Sequence, residues 1–285
     1  MTTLDTNGRL NNLLNKSEID DRNTDYIYQD LYDYIKKFNT SKDKILLSIV
    51  LPMYNEEKTI KTVLERLPYN NYIEIIVVND YSTDNSIKEI DKVKLKREIK
   101  VINHKRNRGY GAAIISGISH SRGKIIVTMD TDGQHSPDDI FNLVKPIFEE
   151  EADCTIGSRY KGTYFYQLPI LTRLGEVLVE KLIQILFGKR IMNNQTGFRG
   201  FHRRILPIFN DTKYYGYAFC TEQILKASLS GYRIKECPIK VYKREYGSSK
   251  IKLMKLARRI FSCLFHYFIR RIKLSMNKSK RTRPF

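Results

Sequence analysis

The chain is poor in cysteine and in long apolar runs. Its four cysteines, Cys154, Cys220, Cys237 and Cys263, are scattered through 285 residues with no CxxC pair. That argues against a zinc module or a disulfide framework and fits a reducing compartment. No stretch reaches the ~18 consecutive apolar residues that span a bilayer. The N-terminus, MTTLDTNGRLNNLLNKSEIDD, lacks the basic start and apolar run of a secretory signal. A cytoplasmic protein is expected, soluble or attached to one face of a membrane.

Acid is scarce at one end. From Lys243 to Phe285 fourteen Lys/Arg face Glu245 alone, giving +13 of a formal net charge of +19, whereas residues 1–44 carry −1. An evenly basic nucleic-acid binder would not distribute charge in this way, and no nucleic-acid partner is expected. What is present, 41% hydrophobic and 28% charged residues, is globular composition. In the tail Leu253, Ala257, Ile260, Leu264, Phe268 and Ile272 recur at three- and four-residue spacing among basic residues. Such a helix suits an anionic membrane surface, or packs on the core with a solvated basic face.

Residues 25–38 read as one helix with an aromatic stripe. From Ile45 short apolar strands alternate with helical stretches. Strands are expected at Ile45–Leu51, Glu74–Asp80, Ile99–Asn103 and Lys124–Asp130, with helices at Glu56–Leu67, from Ser82, and from Gly109. This alternation predicts an α/β fold, a mostly parallel sheet with helices on both faces. Ligands of such sheets bind at the carboxyl ends of the strands.

Polar residues collect at those ends: Pro52-Met53-Tyr54-Asn55-Glu56-Glu57, Asn79-Asp80, and Asp130-Thr131-Asp132-Gly133-Gln134-His135. Two carboxylates one residue apart at a strand end can share a hard cation such as Mg²⁺ or Mn²⁺, although many such triplets are surface turns or helix caps. His135 is an alternative metal ligand. Gly109 and Gly111 lack the third glycine of a dinucleotide fingerprint, Ile114 standing in its place.

In this order and spacing LPMYNEE, VVNDYSTDNS, NRGYGAA, MDTDGQH, GSRYKG and TGFRGF resemble the inverting family 2 glycosyltransferases with the Rossmann-like GT-A fold, most of all the dolichyl-phosphate mannose synthase type. The resemblance covers about 45–250. It implies that Pro52, Tyr54 and Glu56 line the pocket for the nucleotide base and ribose, with Asp80 touching base or ribose. It implies metal and diphosphate carboxylates in Asp130 and Asp132, with Gln134 beside the sugar. Arg159 and Arg173 match arginines that hold an acceptor phosphate; Arg244 and Lys250 match a late basic loop over the donor diphosphate; Glu222 matches an acid facing the sugar.

The implied reaction moves a hexose of mannose or glucose type from a GDP- or UDP-sugar to polyprenyl or dolichyl phosphate, with inversion, using Mg²⁺ or Mn²⁺ at an anionic membrane surface. Transfer to a saccharide or lipid hydroxyl is the alternative, and it would need a general base. A basic nucleic-acid-binding protein and an inactive scaffold are the non-enzymatic readings. The chain departs from the family at Asn79-Asp80-Tyr81, where a pair of aspartates and a glycine are common, and at Asn193 or Asn194, where an aspartate often precedes TGFR.

The expected organisation is a helical extension at 1–44, a catalytic domain at 45–250 and a basic amphipathic tail at 251–285. Removing the tail from Arg258 onward should then separate attachment from chemistry. The apolar segment Leu168–Phe187, with Arg173 near its start, is expected either to be core or to lie at the bilayer.

Overall fold

A computed structural model describes residues 28–38, 45–94, 98–166, 168–216, 218–244, 246 and 253–281. The expected strands and helices form in order. They are α1 (Gln29–Lys37), β1 (Leu47–Met53), α2 (Ile60–Glu65), β2 (Ile73–Asn79), α3 (Ser86–Lys94), β3 (Ile99–Asn103), α4 (Tyr110–Ser119), β4 (Ile125–Thr128) and α5 (Ile140–Phe148). There follow β5 (Cys154–Tyr164), α6 (Ile170–Phe187), β6 (Arg199–His202), α7 (Phe219–Leu229), β7 (Ile234–Val241) and α8 (Leu253–Arg281). The sheet runs β3-β2-β1-β4-β6-β5-β7. Only β6 is antiparallel to its neighbours, β4 and β5.

All seven residues of β1 and all seven of β2 are buried, because helices cover the sheet on both sides. Strand alternation sorts the side chains into two cores. Leu47, Ile49, Leu51, Ile75, Val77, Ile125 and Val127 face one core, closed by α1, α2, α3 and α5. Val50, Ile76, Val78 and Ile126 face the other, closed by α4, α6, α7 and α8.

The helix expected over 25–38 is seen as α1, its first three positions lying outside the described residues. It packs through Leu31, Tyr32 and Ile35, and Tyr28 donates to the Arg66 carbonyl at 2.6 Å. The N-terminal helix is thus part of the first core.

Of the two arrangements expected for the tail helix, the middle of the stripe takes the one packed on the core. Ile260 and Leu264, members of the anticipated membrane stripe, are buried together with Cys263 and Tyr267, and Phe268 packs against them. The middle of that stripe packs on the core, while Ile272 at its end is exposed. A second apolar row, Met254, Phe261, Phe265, Ile269 and Met276, is exposed as well. The Tyr267 hydroxyl donates to Glu222 at 2.6 Å, fastening α8 to α7. Cutting at Arg258 would therefore open the second core, so that truncation cannot separate attachment from chemistry.

Candidate active site at the carboxyl ends of the strands

Parallel strands β1, β2 and β4 end on one edge of the sheet, and their loops meet there. Pro52, in the last turn of β1, accepts a hydrogen bond on its carbonyl from the Thr131 hydroxyl at 3.0 Å. The segment after β1 is laced to the one after β2. Asn55, with φ +58°, accepts from the Thr83 amide at 2.8 Å, and the Glu56 amide donates to the Ser86 hydroxyl at 2.8 Å. The Glu56 carboxylate accepts from the Thr59 hydroxyl at 3.1 Å, while Tyr54 is exposed.

Asp80 is buried and heavily engaged. Its two oxygens accept from the Arg108 and Gly109 amides at 2.8 and 2.7 Å, and His104 Nδ1 lies 2.7 Å from the first. His104 Nε2 in turn meets the Ser116 hydroxyl at 2.9 Å. Asp80 therefore anchors the loop that opens α4, where Gly109 adopts φ +89°. Beside that loop is an open basin of about 500 Å³ lined by Arg106, Asn107, Arg108, Ala112 and Tyr215.

Tyr81 adopts φ +69°, a conformation natural to glycine and strained for tyrosine. The place where relatives often carry glycine does require that backbone. Asn193 is structural: its amide donates to Glu236 at 2.8 Å and its side chain to the Gly157 carbonyl at 3.0 Å.

Asp130 and Asp132 follow β4. Burial pushes the Asp130 carboxyl up; the nearby His135 opposes that and the Asp132 charge reinforces it. The Tyr110 hydroxyl neighbours the Asp130 carboxylate, both lying close to Gly197. Gly197 lies so close that a Cβ there would stand 2.4 and 2.7 Å from the Asp130 carboxylate oxygens. Asp132 accepts from the Gln134 amide at 3.1 Å and pairs with the Arg244 guanidinium. Gln134 exchanges two hydrogen bonds with the Tyr242 backbone, its carbonyl accepting at 2.8 Å and its side-chain amide donating at 3.1 Å. The loop after β4 is thereby stitched to the end of β7, which delivers Arg244. Lys250 lies outside the described residues.

Two hard carboxylates suit Mg²⁺ or Mn²⁺, which take remaining ligands from water and phosphate. Among the described residues no three His, Cys, Asp or Glu side chains group closely enough to hold a metal alone. His135, 3.9 Å from Asp130 and ring-packed on Phe198, does not complete such a set. Its Nδ1 is buried without a hydrogen-bond partner, a polar atom left over beside the carboxylates. The donor set fits a cation shared with a substrate.

A second cluster carries the opposite sign. Arg159, on β5, donates to the Tyr166 and Tyr160 hydroxyls at 2.7 and 3.2 Å and pairs with Glu176 of α6. Arg173, in the first turns of α6, stacks its guanidinium 3.9 Å from the Tyr160 ring centre and lies 4.0 Å from Glu176. Arg159 Nε and Arg173 Nη1 are buried donors with no hydrogen-bond partner. Contacts bridge the two clusters: Tyr242, tied to Gln134, stacks on Phe165 with centroids 5.0 Å apart, and Phe165 adjoins the Tyr166 that holds Arg159.

Glu222 is engaged elsewhere. Its carboxylate accepts from the Lys213 and Tyr214 amides at 3.0 and 2.9 Å and from Tyr267. It caps a turn and holds α8. Sequence reading missed Tyr110, Gly197, His104, Tyr242, Tyr160 and Glu176, whose roles arise from contacts across the sheet. Of these Tyr110, Tyr160 and Gly197 left a trace, standing inside NRGYGAA, GSRYKG and TGFRGF.

Comparison with known proteins follows this geometry. Residues 48–208 match glycosyl transferase family 2. The chain is 30% identical over 223 residues to a UDP-N-acetylglucosamine–dolichyl-phosphate N-acetylglucosaminyltransferase of Methanococcus voltae, covering 72% of this chain and 89% of that protein. It is 28% identical over 230 residues to a dolichol-phosphate mannosyltransferase of Pyrococcus furiosus, covering 78% of this chain and 62% of that protein. The glucosyl-3-phosphoglycerate synthase of Mycobacterium tuberculosis, solved with Mn²⁺ and UDP, shares the fold with a TM-score of 0.61 at 19% identity, over 78% of this chain and 79% of that one. With its GT-A fold, its ordered motifs and that match over more than half its length, the chain belongs to glycosyl transferase family 2.

Proposed function

We propose that the protein transfers a hexosyl group from a nucleotide diphosphate sugar to a polyprenyl or dolichyl phosphate, with inversion, at the surface of an anionic membrane. The single observation that carries this is the pairing of a carboxylate cluster with an arginine cluster across one continuous set of contacts. The first suits a cation and a diphosphate; the second suits an anionic acceptor. The mannose or glucose type expected from sequence is widened to include N-acetylglucosamine, which the Methanococcus voltae relative transfers by its name.

Asp130 and Asp132 would hold Mg²⁺ or Mn²⁺, which when bound supplies positive charge to the departing diphosphate. Arg244, already against Asp132, would add its own charge there. Arg159 and Arg173 would orient the acceptor phosphate. One acceptor oxygen attacks the anomeric carbon, the bond from that carbon to the diphosphate oxygen breaks, and the nucleoside diphosphate leaves; a single displacement inverts the centre. A phosphate monoester is already ionised at neutral pH, so the step needs no general base. Glu222, whose carboxylate is taken by three internal donors, is not required to be one.

Membrane contact is supported by the surface beside the arginines. Ile170, Leu171 and Leu174, around Arg173, are 80%, 72% and 60% exposed. The outer row of α8 is exposed too, among exposed Arg258, Arg259, Arg270 and Lys273. An apolar surface rimmed by bases suits anionic headgroups. Among the described residues no helix is long and apolar enough to cross a membrane.

The test is incubation with Mn²⁺, a panel of GDP- and UDP-sugars and polyprenyl phosphate in detergent, with mass spectrometry of the extracted lipid. A glycosylated lipid phosphate is expected, and Asp132→Asn should slow its formation about a thousandfold, the scale of losing a group at a developing charge. Consumption of donor only with saccharide or lipid hydroxyls would replace this acceptor. An Asp132→Asn rate equal to wild type would refute the site.

A further inference from the structure

The arginine cluster contains an acid that the transfer reaction does not require. Glu176 lies one turn after Arg173 on α6, with its side chain 15% exposed. One oxygen pairs with Arg159; the other accepts from the Tyr160 hydroxyl and faces Arg173. A phosphate arriving between the two guanidiniums would enter a site whose charge Glu176 has already halved. Yet the donors left over, Arg159 Nε and Arg173 Nη1, are buried without hydrogen-bond partners. Arg173 in particular is held by stacking on Tyr160 and by an ion pair at 4.0 Å, an arrangement that fixes its plane and leaves hydrogen-bonding capacity open.

We propose that Glu176 is an internal stand-in for the acceptor phosphate: it keeps Arg159 and Arg173 paired and in place in the free enzyme and gives them up when a phosphate monoester binds, thereby setting acceptor affinity. This rests on the acceptor reading of the arginine cluster given above. The chemistry follows from charge. A carboxylate presents one negative charge and two acceptor oxygens, whereas a phosphate monoester presents close to two charges and three oxygens. The phosphate therefore outcompetes the carboxylate for the guanidiniums, and the donors without partners find theirs. Acceptors of lower charge, such as neutral hydroxyls, cannot displace Glu176 and are rejected. The acid gives selectivity at a cost in affinity.

The experiment measures acceptor and donor kinetics of the full-length wild type and of Glu176→Gln, with Arg173→Gln alongside and with thermal unfolding to check that each variant folds. A short-chain alkyl phosphate serves as competitive inhibitor, and inorganic phosphate is run at the same concentration. Removing the internal anion should lower the acceptor KM about tenfold, the scale of a charge pair in a half-buried site, and leave donor KM where it was. The alkyl phosphate should inhibit Glu176→Gln more tightly by the same factor. A raised acceptor KM in Glu176→Gln would overturn the proposal, showing that the acid only positions the arginines. A hundredfold or greater loss of kcat with a changed pH profile would also overturn it, showing a general base. Inorganic phosphate competing as well as the alkyl phosphate would overturn the lipid source of the anion. If Arg173→Gln leaves the acceptor KM unchanged, the acceptor site itself is misplaced, an outcome distinct from failure of Glu176→Gln alone.

Discussion

Replacing Gly197 by alanine tests the carboxylate site without touching a charge. An added Cβ would stand 2.2 Å from the Tyr110 hydroxyl and 2.4 and 2.7 Å from the two Asp130 oxygens, against 3.4 Å or more for ordinary contact. Both groups must therefore retreat by about 1 Å. Tyr110 is wedged edge-on against Phe219, and Asp130 follows directly on the buried Met129 at the end of β4. Crowding of this kind costs about 1 to 3 kcal/mol of stability. Displacing a catalytic group by about 1 Å costs on the order of a hundredfold in rate. The assay is lipid-linked product formed at saturating donor and acceptor, repeated over a Mn²⁺ titration, with thermal unfolding recorded beside it. Gly175→Ala is the control, since a Cβ there meets nothing within 4 Å. A Gly197→Ala rate within about threefold of wild type, with unchanged thermal stability, would refute the close packing of Asp130 and with it the assigned site.

Two further outcomes follow from other parts of the structure. Asp153 is held by Arg204 Nε at 2.7 Å and the Arg233 amide at 2.7 Å. Burial alone would raise its carboxyl, but the Arg233 and Arg204 bonds outweigh that and bring it down to about 2. A depressed acid stabilises the fold above its unfolded value of about 4 and loses that contribution as pH falls toward 2. Urea unfolding across that window should show a shallower pH slope in Asp153→Asn than in wild type, and a stability gap of about 1 to 2 kcal/mol at neutral pH after allowance for solvent around the arginines; parallel slopes would contradict the pairing. On the surface, Leu171→Ser with Phe265→Ser removes two side chains that are 72% and 68% exposed. Sedimentation with anionic vesicles should fall at least tenfold, from the ~1.5 kcal/mol or more that each side chain gains on burial, and unchanged sedimentation would exclude this face as the membrane contact.

Much of the fold could be read along the chain because its causes are local. Strands 47–53 and 73–79 are short, mostly apolar runs bounded by polar turns, and covered parallel strands leave that signature. The antiparallel β6 was not foreseen. Its four residues, Arg199–His202, carry no strand pattern of their own and are a strand only because β4 and β5 flank them. The site divides in the same way. Asp130, Asp132 and Gln134 sit within five residues and announce themselves, whereas Tyr110 and Gly197 reach Asp130 from 20 and 67 positions away. Glu222 shows the same limit. A sequence shows that an acid stands on a helix, but not that two backbone amides and a tyrosine from another helix have already claimed it.

The inward side of α8 has one more consequence. Ile260, Cys263, Leu264 and Tyr267 fill the second core while Phe261 and Phe265, on the same turns, face outward. The greasy exterior is thus inseparable from the folding unit: it forms when the protein forms and cannot be shed by proteolysis or deletion without unfolding what lies beneath. Variation can retune the exterior one residue at a time, while the helix that bears it has to stay.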